Sequence, residues 1–191
     1  TAVLTQTKRF EHIQLISAFA VCFGLMFTFI KSSVFKVKDL LLVAITSRLL
    51  FIDYLPLLSQ DFYRFIWDGR MILEGFNPYL SLPETFIQQG LHPIADTNNL
   101  YTGMDEMNGS HYTNYPPLNQ LCFFTAALFA SKSIFGSVIV IRILIILADI
   151  GILYFGKKLL EKLQLPVKNI FWYVLNPFVI IELTGNLHFE A

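Results

Sequence analysis

Residues 13–30 read IQLISAFAVCFGLMFTFI, a run of 18 residues without a formal charge. As a helix it rises about 27 Å at ~1.5 Å per residue, close to the hydrocarbon thickness of about 30 Å that a spanning helix must cover. It is long enough to cross and lacks a small-residue cleavage pattern, so it reads as a spanning helix and not as a cleavable signal. Four further apolar runs follow, at about 40–58, 118–135, 138–155 and 170–183. Composition agrees, with 54% hydrophobic residues, 19 Phe and only 15% charged residues, against about a quarter charged in soluble domains. The expected fold is an all-α membrane protein, a multi-pass transmembrane helical bundle, with residues 1–191 as one polytopic domain. The sequence opens on Thr1 and closes directly after a polar cluster at 185–190, so it is expected to be a fragment of a longer chain.

Charge patterning orients the segments. Residues 31–38 carry three lysines, which places this connection on the cytoplasmic side. The long polar stretch 59–116 follows the second run and holds seven carboxylates against two arginines, so it reads as a large extracytoplasmic loop. The runs at 118–135 and 138–155 are joined so tightly that they form a helical hairpin. Four lysines in 157–168 then argue for a cytoplasmic connection, whereas two crossings from an outer loop return the chain outside. Either one run does not cross fully or the charge bias is locally broken. The net charge of zero and pI near 6.8 offer no basic surface for nucleic acid, so contact with the bilayer is by insertion. Cys22 and Cys122 both lie in apolar runs and read as small buried hydrophobes.

Four ionisable residues interrupt the apolar runs: Arg48, Asp53, Arg142 and Asp149. Each costs about 2.5–3.5 kcal/mol at a helix centre on insertion scales, so each needs a reason. Pairing between helices, or snorkelling near an end, is one reading. The other is a polar cavity in which Arg48 or Arg142 grips a phosphate.

The segment 59–79, SQDFYRFIWDGRMILEGFNPY, begins where the second run ends. A helix over about 61–73 puts Asp61, Arg64 and Asp68 on one stripe and Tyr63 with Trp67 on another face, which reads as an amphipathic juxtamembrane helix. A carboxylate beside a cation can take a proton from a hydroxyl while the cation steadies a leaving phosphate. Asp61 is the candidate base. Gly75 and Asn77-Pro78 then form a turn that folds the loop back.

The ordered set S-x-D-x-Y-R-x-x-W-D-G-R (59–70), G-x-N-P-Y (75–79), Y-P-P (115–117), N-P-x-x-x-x-E (176–182) and G-N-x-H-x-E (185–190) resembles bacterial polyprenol-phosphate-mannose-dependent mannosyltransferases. These are integral membrane glycosyltransferases of the GT-C class, distantly similar to the GPI-anchor mannosyltransferases. The resemblance implies a GT-C-like helical fold in the bacterial plasma membrane with an extracytoplasmic active site. It implies a polyprenyl-phosphate-linked sugar donor, a glycan or glycolipid acceptor, and inverting transfer with Asp61 as base. Arg64 or Arg70 would meet the donor phosphate, and Asp68 would orient Arg64 or bind a sugar hydroxyl. Asn77, Tyr79, Glu182, Asn186, His188 and Glu190 complete the expected donor-binding set. Relatives often carry two acids where this chain has Gln60 and Asp61, and His-Asn-Asp where it has His188, Phe189 and Glu190. No metal site and no certain cofactor are expected.

A membrane transporter or flippase for lipid-linked sugars is the alternative, with the four ionisable residues lining its pathway. A non-catalytic assembly subunit is a third. The absence of G-x-x-x-x-G-K and G-x-G-x-x-G argues against direct nucleotide use. The triplet at 108–110 matches an N-glycosylation acceptor but reads as a chance match, and His92 and His111 read as surface loop residues.

Overall fold

The computed structural model describes residues 11–130 and 132–189, all helix, turn or irregular chain with no strand among them. Two compact units divide the chain: Ser59–Ile141, and Thr1–Leu58 with Arg142–Ala191. Among the described residues two helices, α1 (His12–Lys31) and α7 (Ile134–Lys162), are long and apolar enough to cross a membrane. Side chains such as Ile16, Val21 and Phe27 of α1 are exposed, as lipid-facing positions require.

In the unit built from the two chain ends, α1 ends at Ser32, whose backbone turns extended. Helix α2 (Val37–Leu49) starts with the Asp39 carboxylate accepting from the Lys36 N–H at 2.8 Å. It spans only 13 residues, so the apolar run at 40–58 is helical for its first half alone. Pro56 disfavours helix at the preceding residue. The irregular backbone that results needs donors in an apolar setting. Arg142 supplies them, giving Nη1 to the carbonyls of Ile52 (3.1 Å) and Tyr54 (2.8 Å).

The run at 170–183 is likewise broken. A 3-10 turn (Val167–Ile170), α8 (Phe171–Val174), α9 (Pro177–Val179) and a π-helical turn (Ile180–Gly185) follow one another. Pro177 cannot continue the preceding helix, and the Asn176 side chain restarts it by accepting from the Phe178 N–H at 2.9 Å. Arg142 again satisfies the irregular end, donating to the carbonyls of Thr184 (2.7 Å) and Gly185 (3.2 Å). Apolar packing joins Ile30 of α1 and Leu40 and Ala44 of α2 to Phe171, Val174 and Leu175.

Of the four ionisable residues in apolar runs, Arg48 and Asp149 form a buried ion pair, Nε to Oδ2 at 2.6 Å. Arg48 also donates to the carbonyls of Ala44 and Val174. Asp53 is exposed. The two guanidiniums thus serve interhelical pairing and stapling of irregular backbone, and the transport reading loses the pathway residues on which it rested.

The 59–141 unit is organised around α3 (Asp61–Leu73), packed on α5 (Thr97–Gly109) and α6 (Pro117–Ala130), with a 3-10 turn (Pro78–Leu80) and α4 (Pro83–Gln88) between. The polar stretch 59–116 is therefore mostly helical and folded. The juxtamembrane amphipathic reading of 61–73 needs correction. Trp67, expected at a lipid interface, is 1% exposed, and Phe62, Phe65, Ile66 and Met71 are buried with it. The reason is that α3 is flanked on several sides, so both of its stripes face protein. Phe65 stacks on Phe123 of α6 at 4.6 Å between ring centroids, and Tyr115 meets Phe65 edge-on at 4.9 Å. Gly69 allows this contact, because a Cβ there would sit 2.1 Å from the Phe123 carbonyl oxygen.

Candidate active site

Asp61 is the first residue of α3, with its N–H donating to Ser59 Oγ at 3.2 Å. A carboxylate at this position is favoured by the helix N-terminus. Its Oδ1 accepts from the Asn108 side-chain amide at 2.8 Å. Asn108 reaches it from the last turn of α5, just after a break in that helix at Asp105, where φ is 69°. A left-handed non-glycine residue is strained, and here the Asp105 carboxylate offsets part of that by accepting from the Glu106 N–H at 2.7 Å. The break re-aims the turn that carries Asn108.

Beside this pair lies a cavity of about 390 Å³, bordered by Arg64, Met107, Asn108 and residues 111–115. Arg64 runs beneath it. Its Nε donates to Asp68 Oδ1 at 2.8 Å, and its Nη1 donates to the His111 carbonyl at 2.9 Å and to the Asn108 carbonyl. Asp68 is 0% exposed, and its Oδ2 accepts from Gln120 Nε2 at 2.9 Å. Gln120 also donates to Thr113 Oγ1. The resulting chain, from Asp61 through Asn108, Arg64, Asp68 and Gln120 to Thr113, ties α3, α5 and α6 behind the cavity wall. A buried pair of this kind is stable only when its remaining donors and acceptors are filled. Among the buried side-chain atoms of this hydrogen-bonded network, Arg64 Nη2 and Gln120 Oε1 have no partner.

Arg64 and Arg70, expected as phosphate ligands, are both 3% exposed. Arg70 spends its guanidinium on the carbonyls of Ala95 (2.6 Å) and Lys132 (2.8 Å) and on Asp96. It pins the start of α5 and the connection after α6, and offers a phosphate no bidentate face. Asp68 does orient Arg64, one of its two expected roles, but is too deep to touch a sugar. Asn77 accepts from the Tyr79 N–H at 3.0 Å and so caps the 3-10 turn. Gly75 precedes it at φ 84°. The Tyr79 hydroxyl donates to the Tyr115 carbonyl, returning this turn to the cavity rim. Its pKa is raised by lost hydration first and by the Asp68 charge second, so it stays a hydroxyl at neutral pH.

The later cluster belongs to the other unit. Glu182, in the π-helical turn, accepts from His188 Nδ1 (3.1 Å) and from Asn186 Nδ2 (3.2 Å). Leu187 at φ 65° reverses the chain so that the His188 N–H also reaches the Glu182 carbonyl at 2.9 Å. Such π-turns recur at functional sites. Glu190 lies outside the described residues. Among the described residues no group of three or more His, Cys, Asp and Glu side chains is placed to hold a metal ion.

Asn108, Thr113 and Gln120 were not singled out from the sequence as site residues. Asn108 stood only in the glycosylation triplet, yet its amide is occupied by Asp61. Their separation in sequence from Asp61 and Asp68 hides the connection, since no local spacing links them.

The described residues thus form an all-helical protein with two helices of membrane-spanning length and a helix-terminal carboxylate held beside a cavity, a candidate acid–base site. The chain belongs to the MptA_B family: residues 3–191 match the family described as alpha-(1->6)-mannopyranosyltransferase, N-terminal domain. It is thus a member of a mannosyltransferase family, whose chemistry requires a sugar donor and an acceptor. No curated protein and no solved structure matches the chain.

Proposed function

We propose that the protein transfers mannose from a polyprenyl-phosphate donor to a hydroxyl of a glycan or glycolipid acceptor, with inversion, at the extracytoplasmic face of the bacterial plasma membrane. The family supplies the sugar and the reaction class. The observation that carries the mechanism is Asp61, whose Oδ1 is fixed by Asn108, a residue that borders a cavity. The acceptor O–H gives its proton to the Asp61 carboxylate as its oxygen bonds to the mannose C1. The bond from C1 to the phosphate oxygen breaks on the opposite side, and polyprenyl phosphate leaves with the electron pair. One displacement of this kind inverts C1. The lipid-linked donor is supported by the resemblance of 59–79, 115–117 and 176–190 to lipid-donor enzymes, by the apolar exposed surface of α1, and by the absence of a nucleotide-binding loop.

The test is Asp61→Asn, which keeps the hydrogen bond from Asn108 but removes the base. Membranes carrying it should transfer mannose from polyprenyl-phosphate mannose at least about 10²-fold more slowly, with unchanged expression and donor binding. Wild-type transfer by this variant would overturn the assignment. Activity that survives only with a nucleotide-sugar donor would overturn the lipid donor.

A further inference from the structure

We infer that the cavity bordered by Arg64, Asn108 and residues 111–115 receives the acceptor, a neutral mannoside that turns its C6 hydroxyl toward Asp61. This rests on the transferase reading above and assigns a subsite within it. The linkage in the family description makes C6 the position of the attacking oxygen.

Three observations select the acceptor over the donor. The base must lie within hydrogen-bond reach of the hydroxyl it deprotonates, and Asn108 both borders the cavity and holds Asp61. The volume of about 390 Å³ falls in the range of roughly 300–1,000 Å³ usual for small-molecule sites. The wall is also chemically matched to a neutral polyol. It presents two tyrosine rings, two asparagines and an imidazole, and its one guanidinium is already neutralised by Asp68 at 2.8 Å. A donor phosphate would face no uncompensated arginine or lysine there. The tyrosine faces suit the C–H surface of a pyranose, while their polar tips and the amides suit its hydroxyls.

The groups available for binding are specific. Tyr112 and Asn114 are exposed, and their side chains make no hydrogen bond among the described residues. Arg64 Nη2 is buried without a partner on the same wall. Thr113 and His111 are already engaged, with Gln120 and with the Met107 carbonyl respectively. Acceptor hydroxyls therefore meet Tyr112 and Asn114 first. The proton on the C6 oxygen passes to Asp61 as the new O–C1 bond forms and the C1–O bond to phosphate breaks.

The experiment uses octyl α-mannopyranoside as acceptor and polyprenyl-phosphate mannose as donor, with membranes carrying the protein. Tyr112→Ala and Asn114→Ala, tested separately, should each raise KM for the mannoside about three- to ten-fold and leave KM for the donor unchanged. An unchanged acceptor KM, or a rise in donor KM instead, overturns the subsite. Equilibrium binding of the mannoside to Asp61→Asn protein in detergent, which needs no turnover, should weaken by the same factor when Tyr112→Ala is added; equal binding overturns it. Failure of the transferase reading is separate, since it shows as full turnover by Asp61→Asn.

Discussion

Asp68 has both oxygens filled, one by Arg64 and one by Gln120, and has no contact with water. A carboxylate in that position is tolerated only because a guanidinium is there to match it. Asp68→Leu should therefore lower stability by about 3–5 kcal/mol, read as a drop in thermal unfolding temperature in detergent. The double variant Arg64→Leu/Asp68→Leu should recover part of the loss, because it removes the stranded charge. Strict additivity of the two single effects would show that the pair is not coupled. The i,i+4 spacing of these residues makes their pairing legible in the sequence. The bond from Asn108 to Asp61 crosses 47 positions and has no local signature. Asp61 could thus be singled out for the proposed role of base from its motif, but the group that holds it could not.

Helix α3 shows how a correct secondary-structure expectation can misplace a whole face. The helix at 61–73 forms as the spacing suggests, yet Trp67 packs inside a unit and not on lipid. A stripe of aromatic residues looks the same whether its partner is a bilayer or another helix. Gly69 records the difference, because it exists to let α6 approach. Alanine normally gains about 1 kcal/mol over glycine within a helix. At position 69 the clash with the Phe123 carbonyl should outweigh that gain, so Gly69→Ala is expected to destabilise by about 1–3 kcal/mol. Gly24→Ala in α1, where nothing lies within 4 Å of the new Cβ, serves as the control and should be neutral or mildly stabilising. Paired thermal melts check both, and equal behaviour at the two sites would refute the close-approach argument.

At the scale of the molecule, apolar run lengths predict spans only where nothing interrupts the backbone. Run 13–30 becomes a 20-residue helix, whereas Pro56 and Pro177 break the runs that contain them. Arg142 then supplies the donors that those breaks demand. The sidedness inferred from the lysines at 31–38 is open to direct measurement. Leu80→Cys, at an exposed position after the Asn77 turn, should react with a membrane-impermeant maleimide in intact cells. Val34→Cys, in the basic connection, should react only after permeabilisation. The reverse pattern would invert the proposed topology and move Asp61 to the cytoplasmic side.

By itself the sequence determined the helical class, the bilayer-length run at 13–30 and the helix at 61–73, and it singled out Asp61 for the proposed role of base. These depend on local hydropathy, periodicity and motif order, all of which are written along the chain. Only the tertiary structure decided that Arg64 and Arg70 are buried staples, that Arg142 donates to backbone carbonyls, and that Asn108 joins Asp61 beside a cavity. Whether a buried charge is a ligand or a brace depends on which distant donors and acceptors reach it, and that is a property of packing and not of spacing.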